Sequence, residues 1–363
     1  MNHILSNMRE YGGAEKSIAT LLPHIAARMP TRIFVENDEH RADCEAISGV
    51  QVTATAKGNG PGAMLKTFLA VRKAFATERP TVLLANGHKG ALFLALLRTF
   101  SPAARRARFA IFVRDFDYYW LGKLLKRLPG CILLAPSQAV FDSERYRAWG
   151  IEKHPCHVIE NAAELFTAEA TTDEGWVGLL ARLLPWKGVE FAIRAMRIVA
   201  DQLPAAKLRI YGESIDPAYV ASLRALVEEL KLSANIEFHE HTRDVASVYR
   251  GGAIFLVTSL DQVPGPEAFG RVVIEAWSHR RPVIAFDCGG PRHLIEDGVD
   301  GYLVHERDTV VLAEDIVELL ENPSRRRAFG EAGYAKVRDR FNPATLAGRL
   351  LDTLFPSNLP PTK

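Results

Sequence analysis

The chain has 363 residues and a mass of 40.2 kDa, beyond the roughly 250 residues at which a single hydrophobic core stops growing, so two domains are expected. Hydrophobic residues make up 48% and charged residues 24%, with a mean hydropathy of −0.03, which excludes a disordered tail or a disulfide-stapled peptide. Lys and Arg number 45 against 43 Asp and Glu, and a formal charge of +2 argues against a dedicated nucleic-acid surface. That balance hides an asymmetry: residues 1–165 hold 22 basic and 15 acidic groups, net +7, and the remainder is net −5. No apolar run reaches the roughly 18 residues of a membrane-spanning helix, because 90–97 is stopped by Arg98. The start, MNHILSNMREYGG, lacks the long apolar segment of a signal peptide. Cys44, Cys131, Cys156 and Cys288 lie far apart, without CxxC or zinc spacing, so a reduced, cytoplasmic, metal-free protein is expected.

Short apolar or β-branched runs alternate with helix-period segments, the pattern of parallel sheets wrapped by crossover helices. In chain order, strands are predicted at 3–6, 32–36, 50–53, 82–85, 109–113, 132–135 and 157–159. A second set is predicted at 177–180, 208–211, 236–239, 254–258, 283–286 and 302–304. Helical stripes such as Ile18, Leu21, Leu22 and Ile25, or Ala192, Ala195, Met196 and Val199, supply the faces that pack on the sheets. Between the sets, 166–175 (FTAEATTDEG) is polar and aperiodic and reads as a linker. The expected organisation is a Rossmann-like domain at 1–165, the linker, a second Rossmann-like domain at 176–340 facing the first across a cleft, and a terminal segment, 341–363, whose helix packs back on the first domain.

In open parallel sheets, ligands bind outside the carboxyl ends of the strands, so the loops there are informative. After the first strand, Gly12 and Gly13 precede a helix, where the absence of side chains lets backbone N–H groups approach an anion, although an isolated glycine pair is more often an ordinary strand-to-helix turn. After strand WVGLLA, Arg182 and Lys187 put two cations on one loop, suited to neutralising and orienting a diphosphate, though such residues are often simply solvated. The strongest signal is EAFGRVVIE, 267–275. It places Glu267 in a loop, Gly270 at a helix start, and Glu275 within the apolar run VVIEAW, where it is not fully solvated. A carboxylate accepts two hydrogen bonds at once and so suits a vicinal diol.

GGAE near the start, ARLLPWKG after the linker, and EAFGRVVIEAWSHRRPVIAFDCGGPRHLIEDGVDGYLV resemble, in order and spacing over nearly the whole chain, the GT-B fold retaining glycosyltransferases of family 4. The resemblance implies an α/β, GT-B architecture with two Rossmann-like domains, the first binding the acceptor and the second the nucleotide sugar. It implies that Arg182 and Lys187 grip the donor diphosphate, that Glu275 binds the ribose, and that Glu267, with the backbone at Phe269 and Gly270, holds the donor sugar. Gly12 and Gly13 meet phosphate and sugar from across the cleft. Gly212, His239 and Arg271 are counted with the donor-binding residues. His88, Arg114 and Asp115, with Asp117 behind them, are candidates for acceptor or sugar contacts. Arg114 and Asp115 stand where many relatives carry a histidine. The sequence departs from the family pattern at Thr258-Ser259, in place of a proline-serine pair, and at His239, Glu240 and His241, where a glycine is common. A UDP- or GDP-sugar is the implied donor, with no metal or cofactor. In the implied chemistry the departing phosphate oxygen takes the acceptor's proton on the same face.

Other readings remain at this stage. Residues 58–63, GNGPGA, fit the GxGxxA of an NAD(P)-dependent oxidoreductase, but they follow the third strand and lack an acidic partner. A nucleotide-sugar epimerase or a binding-only relative of the same fold is also open. The basic excess of the first half, through Arg98, Arg105, Arg106, Arg108, Lys123, Lys126 and Arg127, interleaved with Tyr118, Tyr119, Trp120 and Leu124, suits either an anionic membrane surface or solvated helix faces. A glycan or lipid-linked acceptor and a peripheral position at the inner face of a membrane are the expectations that go with it.

Overall fold

The computed structural model describes residues 2–6, 11–116, 121–148, 150–166, 175–242, 244–262 and 265–356, and Asp117, Tyr118, Tyr119, Trp120 and most of the expected linker lie outside them. The chain divides into two compact units, one of Met1–Ala162 with Pro343–Lys363 and the other of Ala163–Asn342.

The first unit holds seven parallel strands: β1 (Asn2–Ser6), β2 (Thr31–Val35), β3 (Val50–Ala54), β4 (Val82–Asn86), β5 (Arg108–Phe112), β6 (Ile132–Ala135) and β7 (Cys156–Val158), in the order β3-β2-β1-β4-β5-β6-β7. Central strands such as VLLAN are buried at every position because helices cover both faces of the sheet, which is why they read as continuous apolar runs. The helix Gly13–Ala26 and the helix Pro343–Leu354 share one core, with Ile18, Leu21, Leu22 and Ile25 packed among Leu346, Leu350 and Leu351. Polar ties fix that last helix: Arg349 Nη1 donates to Glu160 Oε2 at 2.7 Å, and Arg108 Nη1 donates to the carbonyl of Leu354, at the helix end, at 2.9 Å.

The second unit holds six parallel strands: β8 (Trp176–Leu180), β9 (Leu208–Tyr211), β10 (Ile236–His239), β11 (Gly252–Val257), β12 (Val283–Phe286) and β13 (Gly301–Val304), in the order β10-β9-β8-β11-β12-β13. The helix Val189–Gln202 buries Ala192, Ala195, Met196 and Val199 against this sheet. Every predicted strand forms, each within two residues of its predicted bounds. The division between units falls just ahead of the expected linker. Ala163 N–H donates to Phe341 O at 3.1 Å and Phe166 N–H to Ser278 O at 3.3 Å, so 163–166 already belongs to the second unit.

Candidate functional site

Each sheet reverses its winding once, between β1 and β4 in the first unit and between β8 and β11 in the second. At such a switch point the connections leave in opposite directions and open a crevice at the carboxyl ends. In the second unit, β8 runs out through Ala181 and Arg182 into the turn Pro185–Lys187, and β11 runs out through Thr258 and Ser259 towards Glu267. The two exits are tied together. Lys187 Nζ forms an ion pair with Glu267 Oε1, Ser259 Oγ donates to the same oxygen at 3.3 Å, and Thr258 Oγ1 donates to Lys187 O at 3.0 Å. Gly188 takes φ +60°, and a Cβ there would stand 2.2 Å from Thr258 O, so only glycine lets the Lys187 turn close on β11. A small depression results, lined by Lys187, Thr258, Ser259, Glu267 and Gly270. Burial first, and then the neighbouring charge of the exposed Arg182, push the Lys187 ammonium down to about 7.

The helix Arg271–Ser278 starts at Gly270, whose φ of +92° is again a glycine conformation. Glu275 is half-buried on that helix. Arg271 donates to its Oε1 from Nε at 3.1 Å and from Nη2 at 2.7 Å, and Tyr249 OH donates to its Oε2 at 3.0 Å. Burial first, and then the Glu275 charge, push the Tyr249 phenol well up. His279, held down by burial, stacks on Tyr249 at 5.3 Å and on Phe166 at 3.9 Å, and its Nδ1 lies 2.9 Å from Glu275 O.

Ahead of that helix, the EAFG segment leaves a ligand the backbone at Phe269 and not its ring: the side chain is 3% exposed and meets Phe341 edge-on at 5.9 Å. Gly289 and Gly290, to which the motif reading gave no role, brace the segment. Gly290 N–H donates to Glu267 O at 2.7 Å, and a Cβ on Gly290 would stand 2.3 Å from Phe269 Cα. A glycine pair directly after a strand's carboxyl end was the signal for them.

Two further expected donor residues do not line this depression themselves. Gly212 packs directly on its wall, since a Cβ there would lie 1.9 Å from the carbonyl oxygen of Ala181, a lining residue. His239 ends the edge strand β10, stacked on Tyr211 at 4.5 Å with its Nε2 3.3 Å from Glu237 Oε2, and β9 separates it from β8.

In the first unit, Gly12, Gly13 and His88 flank the switch point, after β1 and β4. The Gly12 amide donates to Glu15 Oε2 at 3.1 Å in a capping box, so an anion arriving there competes with that carboxylate. Arg114 is 9% exposed, with Nε donating to Asn86 Oδ1 at 2.7 Å and Nη1 to Ser17 Oγ at 3.0 Å and Asn161 Oδ1 at 2.9 Å, so its guanidinium joins several segments of this unit. Asp115 accepts through its backbone carbonyl from Tyr146 OH. Gly58, of the GNGPGA segment, donates to Glu36 Oε1 at 2.7 Å, and Glu36 is ion-paired with buried Lys89. Of the expected basic and aromatic patch, Arg105 and Arg106 are exposed, Leu124 is buried, Arg108 is bound to the last helix, and Tyr118, Tyr119 and Trp120 lie outside the described residues. Among the described residues no helix is long and apolar enough to cross a membrane.

Residues 162–336 match the family described as Glycosyl transferases group 1. Over 187 residues, 51% of this chain and 26% of the relative, the sequence is 25% identical to the poly(glycerol-phosphate) alpha-glucosyltransferase of Bacillus subtilis. It is 32% identical over 178 residues, 48% of this chain and 45% of the relative, to the GDP-mannose-dependent monoacylated alpha-(1-6)-phosphatidylinositol monomannoside mannosyltransferase of Corynebacterium glutamicum. The chain thus spans less than half the length of these curated relatives. The crystal structure of Anabaena HepE in complex with UDP and glucose shares the fold, with a TM-score of 0.80 and 21% identity over 97% of this chain and 98% of that one. Two parallel-sheet, Rossmann-like units are the GT-B architecture, and Arg182, Lys187, Glu267 and Glu275 all fall within the stretch that matches the glycosyl transferases group 1 family.

Proposed function

We propose that the protein is a retaining glycosyltransferase that moves a sugar from a nucleotide diphosphate sugar to a hydroxyl of a glycan, lipid-linked or small-molecule acceptor, without metal or cofactor. The observation that carries the reading is the Lys187–Glu267 pair beside Arg182 at the β8/β11 switch point. A diphosphate arriving there draws Lys187 from Glu267, and the released carboxylate takes hydroxyls of the donor sugar. As the bond between the anomeric carbon and the diphosphate oxygen breaks, negative charge grows on the leaving group. Arg182, Lys187 and the start of the helix behind Gly270 meet that charge. The acceptor oxygen bonds to the anomeric carbon, and its proton passes to the departing phosphate oxygen on the same face, which keeps the configuration. Glu275, steadied by Arg271 and Tyr249, receives the ribose hydroxyls.

The names of the relatives support the donor class, one being GDP-mannose-dependent and one solved with UDP and glucose. The acceptor role stays with the first unit, where His88 and Asp115 follow strand ends, and Gly12 and Gly13, after β1, stay with the donor phosphate and sugar. Free thiols at Cys44, Cys131, Cys156 and Cys288 support a cytoplasmic location. The test is a thermal-shift screen of UDP- and GDP-sugars, followed by transfer assays with and without a chelator and NMR of the product's anomeric proton. Unchanged transfer by both Arg182→Ala and Glu275→Ala at saturating acceptor overturns the reading.

A further inference from the structure

We infer that the face of the first unit formed by the helix Pro61–Glu78, Phe100 and the turn Pro102–Arg106 is a docking surface for an anionic lipid bilayer. Leu65 is 57%, Leu69 49% and Phe100 60% exposed. Leu65 and Leu69 stand one turn apart, and Phe68, on the same side of the helix, meets the Phe100 ring edge-on at 6.4 Å, so these side chains form one patch. Scattered exposed leucines mean little, whereas a contiguous group marks an interaction surface.

The charge around the patch is of one sign. Lys66, Arg72 and Lys73 are exposed on the same helix, and Arg105 and Arg106 are exposed on the turn after Phe100. Between Glu45 and Asp115 the sequence holds eleven lysines and arginines and a single carboxylate, Glu78, which is engaged by Arg32 and His3. A soluble polyanion needs the cations and has no use for protruding Leu65, Leu69 and Phe100. An anionic bilayer uses both, taking the apolar side chains below its headgroups and the cations at their level. This face shares Arg105 and Arg106 with the one the sequence suggested and takes its apolar side chains from elsewhere, because Leu124 turns into the core. In pointing to a lipid-linked acceptor, the inference rests on the proposed transfer.

The experiment is cosedimentation of the full chain with vesicles of phosphatidylcholine alone or mixed with phosphatidylglycerol. No nucleotide sugar is present, so failure here leaves the transferase reading standing, and failed transfer leaves the vesicle result standing. The expected result is binding to the anionic vesicles only, weakening with salt. At about fivefold per cation, Lys66→Glu with Lys73→Glu lowers partitioning by more than about twentyfold. Leu65→Ser with Phe100→Ser weakens vesicle binding and leaves retention on heparin unchanged. These side chains are exposed, and circular dichroism checks that each variant folds. Equal binding to neutral and anionic vesicles, or undiminished vesicle binding by the apolar double variant, overturns the proposal; the second outcome means that Leu65 and Phe100 do not enter the bilayer and that the cations alone attract anions.

Discussion

The two switch points share a topology and differ in what their cations do. At β8/β11, Arg182 stands exposed and Lys187 is held by one carboxylate that an anionic ligand can replace. At β1/β4, Arg114 is sealed among Asn86, Ser17 and Asn161, and nearby Lys89 is buried against Glu36. On the proposed function, a cation with an exchangeable partner serves binding, whereas one whose partners come from several distant segments is expected to serve shape. Fold alone therefore does not assign function to a switch point.

The sharpest way to break this comparison is to remove one arginine from each. Arg182→Ala is expected to lower kcat for sugar transfer by about 10²–10³-fold, the range for losing one group that stabilises developing negative charge. Its stability should stay within about 0.5 kcal/mol of the parent, as for an exposed side chain. Steady-state kinetics with urea unfolding reads both. Arg114→Ala should do the reverse and destabilise the fold by about 3 kcal/mol, because buried Asn86, Ser17 and Asn161 lose a charged donor. Nucleotide affinity should hold at temperatures where the variant is folded. If Arg114→Ala keeps its stability and loses transfer, the contrast between the two sites collapses.

This pair also shows what the sequence made legible. The strands were readable because burial on both faces leaves continuous apolar runs. Arg182, Lys187, Glu267 and Glu275 were expected together from two loops and a helix that resemble a family pattern, and the structure pairs Lys187 with Glu267. The setting of Arg114 was not readable, because its partners lie 28, 47 and 97 residues away, and FVRDF carries no local trace of them. Leu124 was misread for a related reason: which side of a short segment faces the core is decided by elements distant in sequence. The Gly12 amide was missed as a capping donor although the Glu three residues later signalled it.

A smaller effect separates binding from stability at Lys187 itself. Its folded-state value of about 7 lies below that of an unfolded lysine, so between about 7 and 10 the unfolded chain binds more protons and this group makes the free protein more stable as pH rises. Nucleoside diphosphate binding needs the ammonium and should run the other way, weakening by up to about tenfold per pH unit above 7, with proton uptake on binding. Calorimetry in buffers of different ionisation enthalpy measures that uptake, and Lys187→Gln should abolish it. Affinity that is flat from pH 7 to about 9 would remove Lys187 from the diphosphate site.

The smallest expected effect tests whether the site extends beyond its cations. Tyr249→Phe removes one donor to Glu275 and leaves the two bonds from Arg271 in place. The carboxylate should stay near its position but lose restraint on the Oε2 side, so stability should fall by about 1 kcal/mol and nucleotide affinity by about fivefold. A diphosphate without ribose distinguishes the causes. If Glu275 holds the ribose, pyrophosphate binds parent and variant equally while the nucleoside diphosphate does not. If both ligands weaken alike, Tyr249 acts on the fold of the site as a whole, and the division between a diphosphate end built on Arg182 and Lys187 and a ribose end built on Glu275 fails.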